Sequence, residues 1–240
     1  MKGKRYMEYL TRRNLIKYGC LAGAVFFTPS AVFPANKSKS VREIYPLTIS
    51  VLKDAYKNEM DAHSSYTAFS RQALKENYPN ISYLFSTFAT SESIHAGLFK
   101  KTLADLGLDL DDDRDRQIEV FTTKKNLRKA AKHELELIKT FYRDAITKIK
   151  PEKHETAVRY CRYSWQSHMQ HRDRIEDVHR WSGIFFSKVA AKIEGEEMRY
   201  LVCHICGSTE TVIPPEICPI CRQSSIHYKL IERTAYSDRN

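Results

Sequence analysis

The sequence predicts a mostly α-helical fold, an antiparallel four-helix bundle followed by a small metal-binding ribbon. Helical periodicity of apolar residues runs from about Tyr45 to Gly183 with few breaks, and two Cys-x-x-Cys pairs lie near the C-terminus. With 240 residues, 42% of them hydrophobic and 28% charged, the chain can form one sizeable core and a small accessory module. This composition excludes collagen-like, low-complexity and mostly disordered proteins.

Motifs and composition divide the chain into four parts. We expect a signal and linker over residues 1–40, a helical bundle over 41–187, a charged linker over 188–197 and a cysteine domain over 198–240.

The first forty residues have the layout of an export signal. They carry eight Lys and Arg residues against one Glu, and a short apolar stretch follows over 21–27. Thr11-Arg12-Arg13-Asn14-Leu15-Ile16-Lys17 resembles the twin-arginine motif, which implies export of a folded protein by the twin-arginine translocation machinery. We therefore expect the protein in the periplasm or on the outer face of the cytoplasmic membrane. Cleavage near Ala31 or Ala35 and uncleaved anchoring are both open.

The net charge of +10 is less informative than it first looks. It comes from 39 Lys and Arg against 29 Asp and Glu, a balance that suggests a nucleic-acid or anionic-membrane partner. Cleavage after Ala35 would remove six basic residues and one Glu, leaving +5. Half of the basicity then belongs to the signal. Because no nucleic-acid motif accompanies it, we expect no nucleic-acid partner.

Three interruptions divide the helical region into four segments. They are Pro79-Asn80, the stretch from Gly107 to Asp115, and Pro151. Each segment is roughly 25 to 35 residues long, which suits a four-helix bundle. Each also carries an apolar stripe at i, i+3, i+4, i+7 spacing, so the stripe residues point toward the core.

Ionisable residues interrupt every one of these apolar stripes. A single inward His or Glu is usually just hydrogen-bonded, but an unpaired charged carboxylate in a core is too costly to keep. Six near the middle of the four helices therefore favour a metal site: Glu59, Glu92, His95, Glu134, His168 and His171. Glu from two helices and Glu-x-x-His from the other two is the pattern of di-iron carboxylate bundles. Here the fourth helix has His168 in place of that Glu.

Three further residues of the bundle are weaker candidates. His63 lies one turn after Glu59, and His133 lies beside Glu134. We expect both at the surface, with a place beside the ligands as the alternative for His63. Cys161 is a lone thiol on the fourth stripe, which we interpret as core packing.

The C-terminal ribbon carries the most specific motif. Cys203-His204-Ile205-Cys206 and Cys218-Pro219-Ile220-Cys221 are separated by 11 residues. Two such pairs bring four thiolates around one Zn or Fe ion. Two disulfides are the alternative in an exported chain, but the hairpin spacing favours a metal. Zn would make the ribbon a structural clip and Fe would make it a one-electron carrier, and the cysteines do not decide between them.

Bundle and ribbon together resemble the rubrerythrin family over about Tyr45 to Glu232. The matching residues are Asn58-Glu59, Glu92-Ser93-Ile94-His95-Ala96, Glu134, His171 and the two cysteine pairs. The resemblance implies a ferritin-like di-iron domain followed by a rubredoxin-like domain that holds one Fe with four cysteines. It also implies a homodimer that reduces hydrogen peroxide, with electrons passing from the iron–cysteine centre of one subunit to the di-iron centre of its partner. Tyr66 and Tyr142 fall where that family carries tyrosines close to its metals.

Two positions depart from the family's pattern. Leu137 stands where the family has a Glu one turn after Glu134, and His168 stands where it has the Glu of the fourth-helix Glu-x-x-His. The chain is left with three carboxylates and three imidazoles, and imidazole also suits Zn or Cu. In the family the Glu that is missing here at position 137 exchanges with the His of Glu-x-x-His as an iron ligand during turnover, so its replacement by Leu137 bears on the peroxidase cycle.

We therefore predict an exported rubrerythrin-like oxidoreductase that reduces hydrogen peroxide or O2. It would hold a di-iron or other di-metal centre in the bundle and one Fe, alternatively Zn, in the ribbon. Tyr66 and Tyr142 are the candidate catalytic residues that orient the peroxide, and the electron donor is unidentified. The alternatives are a metal-binding electron-transfer protein that lacks turnover because of Leu137 and His168, and a zinc-ribbon adaptor on a structural bundle.

Overall fold

A computed structural model describes residues 39–110, 117–179 and 186–233 of the chain. The twin-arginine motif and both candidate cleavage positions lie outside these residues. Within the described ranges, no helix has both the length and the apolar content needed to cross a membrane.

Four long helical stretches form the bundle, which confirms the predicted fold class. The helical elements are α1 Val41–Ile44, α2 Pro46–Lys75, α3 Pro79–Asp105, α4 Thr123–Glu136, a π turn Leu137–Phe141, α5 Tyr142–Ile149, a 3-10 turn Lys150–Glu152, α6 Glu155–His179 and α7 Phe186–Glu194. Without a break, α4, the π turn and α5 form the third helix of the bundle. Pro46 and Pro79 each occupy a first helical turn, where the missing N–H costs nothing.

Two apolar clusters fill the bundle, and the predicted ligands lie between them. One cluster includes Leu52, Phe99, Tyr142 and Cys161, and the other includes Phe69, Phe85, Leu127 and Ile175. Along each of the four long helices, the predicted ligands fall between residues of one cluster and residues of the other. The bundle therefore has a polar layer between two apolar ends. Cys161 is packed in the core, as predicted.

The π turn changes the phase of the third helix next to Glu134. Eight residues along a regular α-helix would place Tyr142 about 80° around the axis from Glu134. One extra residue in the turn reduces this angle to about 20°, so both side chains face the polar layer. Trp165 Nε1 on α6 donates a hydrogen bond of 3.0 Å to the Ile138 carbonyl oxygen within the turn.

The cysteine domain is a small antiparallel sheet. Its strands are β1 Leu201–Cys203, β2 Thr209–Glu210 and β3 Tyr228–Leu230, in the order β2-β1-β3. Leu201 pairs with Glu210 on one side and with Leu230 on the other. A 3-10 turn, Ser225–His227, leads into β3.

Much of the predicted linker over 188–197 is helical, because α7 extends to Glu194. The Glu194 carboxylate accepts hydrogen bonds from the backbone N–H groups of Asn80 and Ile81, at 2.6 and 3.1 Å. These are orphan donors at the start of α3, and an acidic side chain is a good partner for them. The segment is thus fixed to α3 rather than extended, while the domain boundaries themselves stay a prediction.

Candidate metal centre

The structure brings all six predicted bundle ligands together in the polar layer. Glu59 comes from α2, Glu92 and His95 from α3, Glu134 from α4, and His168 and His171 from α6, and each is 0% exposed. Their ligand atoms form two groups, each with all its atoms within 4.8 Å of one another. The groups are Glu59, Glu92, His95 and His168, and Glu92, Glu134, His168 and His171. Glu92 and His168 belong to both.

His168 lies between carboxylates on its two sides. Its Nδ1 is 2.6 Å from Glu134 Oε2, and its Nε2 is 3.2 Å from Glu59 Oε1. With the remaining contacts, imidazole and carboxylate groups alternate around a ring. His95 Nδ1 is 2.8 Å from Glu92 Oε2, and His171 Nδ1 is 3.0 Å from Glu92 Oε1.

Burial and charge act in opposite directions on these groups. Burial alone would raise the pKa of Glu59, but the charges of His168 and His95 hold it well below its usual value. The His168 charge likewise outweighs burial and lowers the pKa of Glu134. Burial alone would lower the pKa of His95, but Glu59 and Glu92 raise it to about 9. Protonated imidazoles thus balance the carboxylates, and metal binding would displace those protons.

Two tyrosines donate hydrogen bonds to this ring of ligands. The Tyr66 hydroxyl donates to Glu134 Oε1, and the Tyr142 hydroxyl donates to Glu59 Oε1. Burial first, and then the adjacent carboxylate charge, raises the pKa of both tyrosines well above 10. Both hydroxyls therefore stay protonated donors at neutral pH. The structure places them where the sequence expects catalytic tyrosines, while their roles stay predictions.

Three buried ligand atoms make no well-aligned hydrogen bond among the described residues, although two of them face each other as an ion pair at 3.0 Å. They are Glu59 Oε2, Glu92 Oε1 and His171 Nδ1. An orphaned carboxylate oxygen in a dry core costs on the order of 1–3 kcal/mol unless something binds it. Carboxylate and imidazole donors in this number suit a di-iron site. The residues present therefore fit the metals that the sequence predicts.

The four ribbon cysteines form a second buried cluster. Cys203 Sγ lies 3.8 Å from Cys221 Sγ, and Cys206 Sγ lies 3.6 Å from Cys218 Sγ. All four are free thiols, so the disulfide alternative is wrong. A tetrahedral ion with metal–sulfur bonds of about 2.3 Å requires sulfur–sulfur distances of about 3.8 Å. The cysteine cluster thus suits a rubredoxin-like iron site.

The ribbon packs directly against the bundle ligands. His95 Nε2 lies 3.0 Å from the Cys206 carbonyl oxygen, and His171 Nε2 lies 3.3 Å from Thr209 Oγ1. A carbonyl oxygen only accepts, so His95 Nε2 carries the hydrogen and leaves Nδ1 for a metal. The Gly207 carbonyl accepts hydrogen bonds from Ser91 Oγ at 2.7 Å and from Ser167 Oγ at 3.0 Å.

Gly207 allows this close approach. Its φ of +79° is a conformation that side chains disfavour, and a Cβ there would lie 2.3 Å from His95 Nε2. The resemblance implied a contact between the ribbon of one subunit and the bundle of its partner. Within one chain, the ribbon lies against its own ligand-bearing helices, where Tyr83 on α3 donates to the Ile231 carbonyl at 2.6 Å. The electron path between subunits stays a prediction.

Sequence reasoning missed the residues that join the two centres. Ser91 and Ser167 each directly precede a predicted ligand, but nothing in their local sequence shows that they meet Gly207. His63 and His133 are half-buried, so both are less exposed than expected. His63 Nδ1 lies 2.7 Å from the Ala89 carbonyl oxygen on the neighbouring helix, which draws the ring inward.

Comparison with known proteins places this geometry among relatives. Residues 50–178 match the sequence model of the rubrerythrin family. Rubrerythrin-2 of Clostridium acetobutylicum is 30% identical over 181 residues, which cover 73% of this chain and 91% of that protein. Nigerythrin of Nitratidesulfovibrio vulgaris is 26% identical over 174 residues, which cover 72% and 81%.

Solved structures show the same fold. A fully reduced, all-ferrous nigerythrin superimposes with a TM-score of 0.65 at 24% identity, covering 77% of this chain and 86% of that one. The di-iron bacterioferritin of Desulfovibrio desulfuricans gives a TM-score of 0.60 at 17% identity, covering 66% and 93%.

Proposed function

Because the chain belongs to the rubrerythrin family, whose members are oxidoreductases, we propose that it reduces hydrogen peroxide to water with electrons passed through its cysteine centre. The observation that carries this proposal is the contact between the two centres. One nitrogen of His95 faces the carboxylates of the bundle, and the other bonds to the carbonyl of Cys206, itself a candidate ligand of the ribbon metal. One hydrogen bond therefore links the two candidate metal sites.

The reaction sets what the chain must provide. Reduction of one hydrogen peroxide molecule to two water molecules consumes two electrons and two protons. Iron in the two centres supplies the redox chemistry, since iron changes oxidation state and Zn does not. The four ribbon cysteines would hold an iron that carries one electron at a time, so the ribbon would have to supply the bundle twice for each peroxide.

Several side chains prepare the site for a small oxidant. The hydroxyls of Tyr66 and Tyr142 keep their hydrogens and lie on opposite sides of the carboxylate ring, where they can orient a peroxide. Phe88 packs against the His171 ring at a centroid distance of 4.3 Å and excludes water from that side. A dry site strengthens each hydrogen bond and charge interaction within it.

Export and dimerisation belong to the same proposal. The signal-like residues 11–17 support secretion by the twin-arginine machinery, so we place the reaction outside the cytoplasm as a defence against peroxide. A homodimer rests on the family resemblance. The electron donor to the ribbon would then be a protein or small reductant of that compartment.

Steady-state peroxide consumption tests the proposal. The full chain is loaded with Fe, supplied with a chemical reductant and given hydrogen peroxide. Cys218→Ser removes a ribbon ligand and should abolish repeated turnover while leaving a single oxidation of the bundle. Cys161→Ala is the matched control, because this buried bundle thiol belongs to neither candidate metal site and its loss should leave turnover intact. Equal consumption by wild type and Cys218→Ser would contradict the proposed electron route.

An electron-transfer protein without peroxidase turnover is the second candidate. Leu137, 3% exposed, favours it because it places an apolar side chain one turn after Glu134. This candidate predicts reversible reduction of the protein with no peroxide consumption. Metal analysis distinguishes the two candidate functions further. About three Fe per chain favours the peroxidase, and one Fe with Zn or an empty bundle favours the electron-transfer protein. A colourless protein would favour the zinc-ribbon adaptor, since Fe3+–thiolate centres are red.

A further inference from the structure

The imidazole of His168 lies differently from the other two imidazoles in the bundle. His95 and His171 each turn one ring nitrogen toward a ribbon oxygen, that of Cys206 or Thr209. His168 turns both of its nitrogens toward ligand carboxylates, Nδ1 to Glu134 and Nε2 to Glu59. The ribbon thus accepts a hydrogen bond from, or contacts, one ring nitrogen of His95 and one of His171. Both ring nitrogens of His168 face the metal centre.

The six ligands divide around His168 into two sets of the same composition. One set is Glu59, His95, Glu92 Oε2 and His168 Nε2, with neighbouring donor atoms 2.8, 3.2 and 3.6 Å apart. Metal–ligand bonds of about 2.0–2.1 Å in a tetrahedron require donor–donor distances of about 3.3 Å. These three separations lie on either side of that value.

The second set mirrors the first. It consists of Glu134, His171, Glu92 Oε1 and His168 Nδ1, with separations of 2.6, 3.0, 3.7 and 3.7 Å. Each set offers two nitrogens and two oxygens. The two sets share Glu92 through its two oxygens and His168 through its two nitrogens.

We propose that two divalent metal ions bind in the bundle and share His168 as a bridging imidazolate, with Nε2 on one ion and Nδ1 on the other. Each nitrogen would bind its ion through the lone pair that is free once the hydrogens on the ring nitrogens have left to solvent. No electrons are transferred in this step. The His at this position would then link the two ions.

Charge balance supports the imidazolate over a neutral ring. Two divalent ions bring four positive charges into a layer whose six ligands are 0% exposed. Glu59, Glu92 and Glu134 neutralise three of them, and an anionic His168 neutralises the fourth. Uncompensated charge in a buried site is costly, so a ligand set that reaches neutrality without an added anion is favoured.

The competing arrangement is a hydroxide or carboxylate bridge with His168 bound through one nitrogen. The two arrangements differ in the distance between the ions. Two metal–nitrogen bonds of about 2 Å on opposite sides of an imidazole ring place the ions about 6 Å apart. Ordinary two-metal sites hold their ions about 3.5–4 Å apart.

Anomalous scattering from crystals of the full chain, loaded anaerobically with Fe2+, measures this distance. We expect two bundle peaks about 6 Å apart, each next to one nitrogen of His168, with the four-cysteine site as an internal reference. Two peaks less than about 4 Å apart, or a single bundle peak, would overturn the proposal. This measurement does not depend on peroxide turnover. A bridged centre that is inactive would contradict only the proposed function, and an active centre without the bridge would contradict only this inference.

Substitution of His168 provides a second test. Gln lacks the two ring nitrogens that could bind two ions on opposite sides. His168→Gln should therefore lose one bundle peak or bring the two peaks within about 4 Å of each other. His133→Gln is the matched control, because this half-buried imidazole beside Glu134 is outside both ligand sets and its loss should leave the separation unchanged. Peaks that stay about 6 Å apart in His168→Gln would contradict the bridge. If that variant does not fold, the wild-type separation still decides.

Discussion

His95 Nε2 and the main-chain oxygen of Cys206 lie 3.0 Å apart, and this one hydrogen bond joins a candidate ligand of the bundle to a candidate ligand of the ribbon. The bond also fixes which nitrogen of His95 faces the carboxylates. Any change that separates the ribbon from α3 should therefore affect metal binding and electron transfer together.

Substitution of Gly207 tests the importance of this contact. In Gly207→Ala the new Cβ would lie 2.3 Å from His95 Nε2 and 2.9 Å from Ser91 Oγ, at a positive φ. We expect a loss of about 1–3 kcal/mol in the free energy of unfolding, because overpacking and backbone strain each have costs of that order. Oxidation of the reduced ribbon by the bundle should slow at the same time.

Gly97→Ala is the control for this substitution. Gly97 lies within α3, and a Cβ there would meet nothing within 4 Å. Ala is the better helix former by about 1 kcal/mol, so this variant should be as stable as wild type or more stable. Denaturant unfolding and stopped-flow spectroscopy measure both effects. Unchanged stability and rate in Gly207→Ala would show that the ribbon does not pack on His95.

Removal of the Tyr142 hydroxyl should destabilise the metal-free protein. Tyr142→Phe deletes a donor to the buried Glu59 carboxylate, which should cost about 1–3 kcal/mol. Peroxide reduction by the Fe-loaded protein should slow as well, if the hydroxyl orients the oxidant. Tyr160→Phe is a suitable control, because this ring is half-buried at the bundle surface and should change stability by less than about 0.5 kcal/mol.

The stability of the metal-free protein should have a maximum in mildly acidic solution. The raised pKa of His95, about 9 against an ordinary 6.5, means that folding favours its protonated form. This stabilisation is complete below pH 6.5 and is lost as the pH rises through 9, by at most about 3 kcal/mol. The lowered pKa values of Glu59 and Glu134 contribute stability above pH 4.5 that is lost as the pH falls.

Urea unfolding after chelation of the metals measures this profile. The metal-loaded protein should behave in the opposite way between pH 6.5 and 9, because metal ions bind deprotonated imidazole. His95→Gln should flatten the alkaline limb of the metal-free profile. An increase in metal-free stability between pH 6.5 and 9 would contradict the ion-paired arrangement.

Replacement of the arginine pair tests the proposed export. Arg12→Lys together with Arg13→Lys keeps the charge and the apolar stretch but removes the motif. We expect wild-type protein in the extracytoplasmic fraction of the cells and the double variant in the cytoplasm. An unchanged distribution would show that another feature of the chain directs it.

The fold and the polar layer follow from local patterns, and the contacts between domains do not. Helical spacing was enough to place Glu59, Glu134 and their partners on inward faces, since 3.6 residues per turn fixes which side chains share a face. The π turn after Glu134 escapes such reasoning, and the Trp165 side chain that donates a hydrogen bond to a carbonyl within it lies on another helix. The contact between Gly207 and His95 joins residues 112 positions apart, and neither local sequence encodes it.

The most direct measurement mixes the fully reduced, Fe-loaded chain with hydrogen peroxide in an anaerobic stopped-flow instrument and follows the red Fe3+–thiolate absorbance of the ribbon. If the ribbon passes electrons to the bundle, the bundle should be oxidised faster than free iron. The ribbon colour should then appear at a rate that does not depend on protein concentration. The proposed electron route would be contradicted if the bundle were reoxidised no faster than free iron. It would also be contradicted if Gly207→Ala left the rate of ribbon oxidation unchanged.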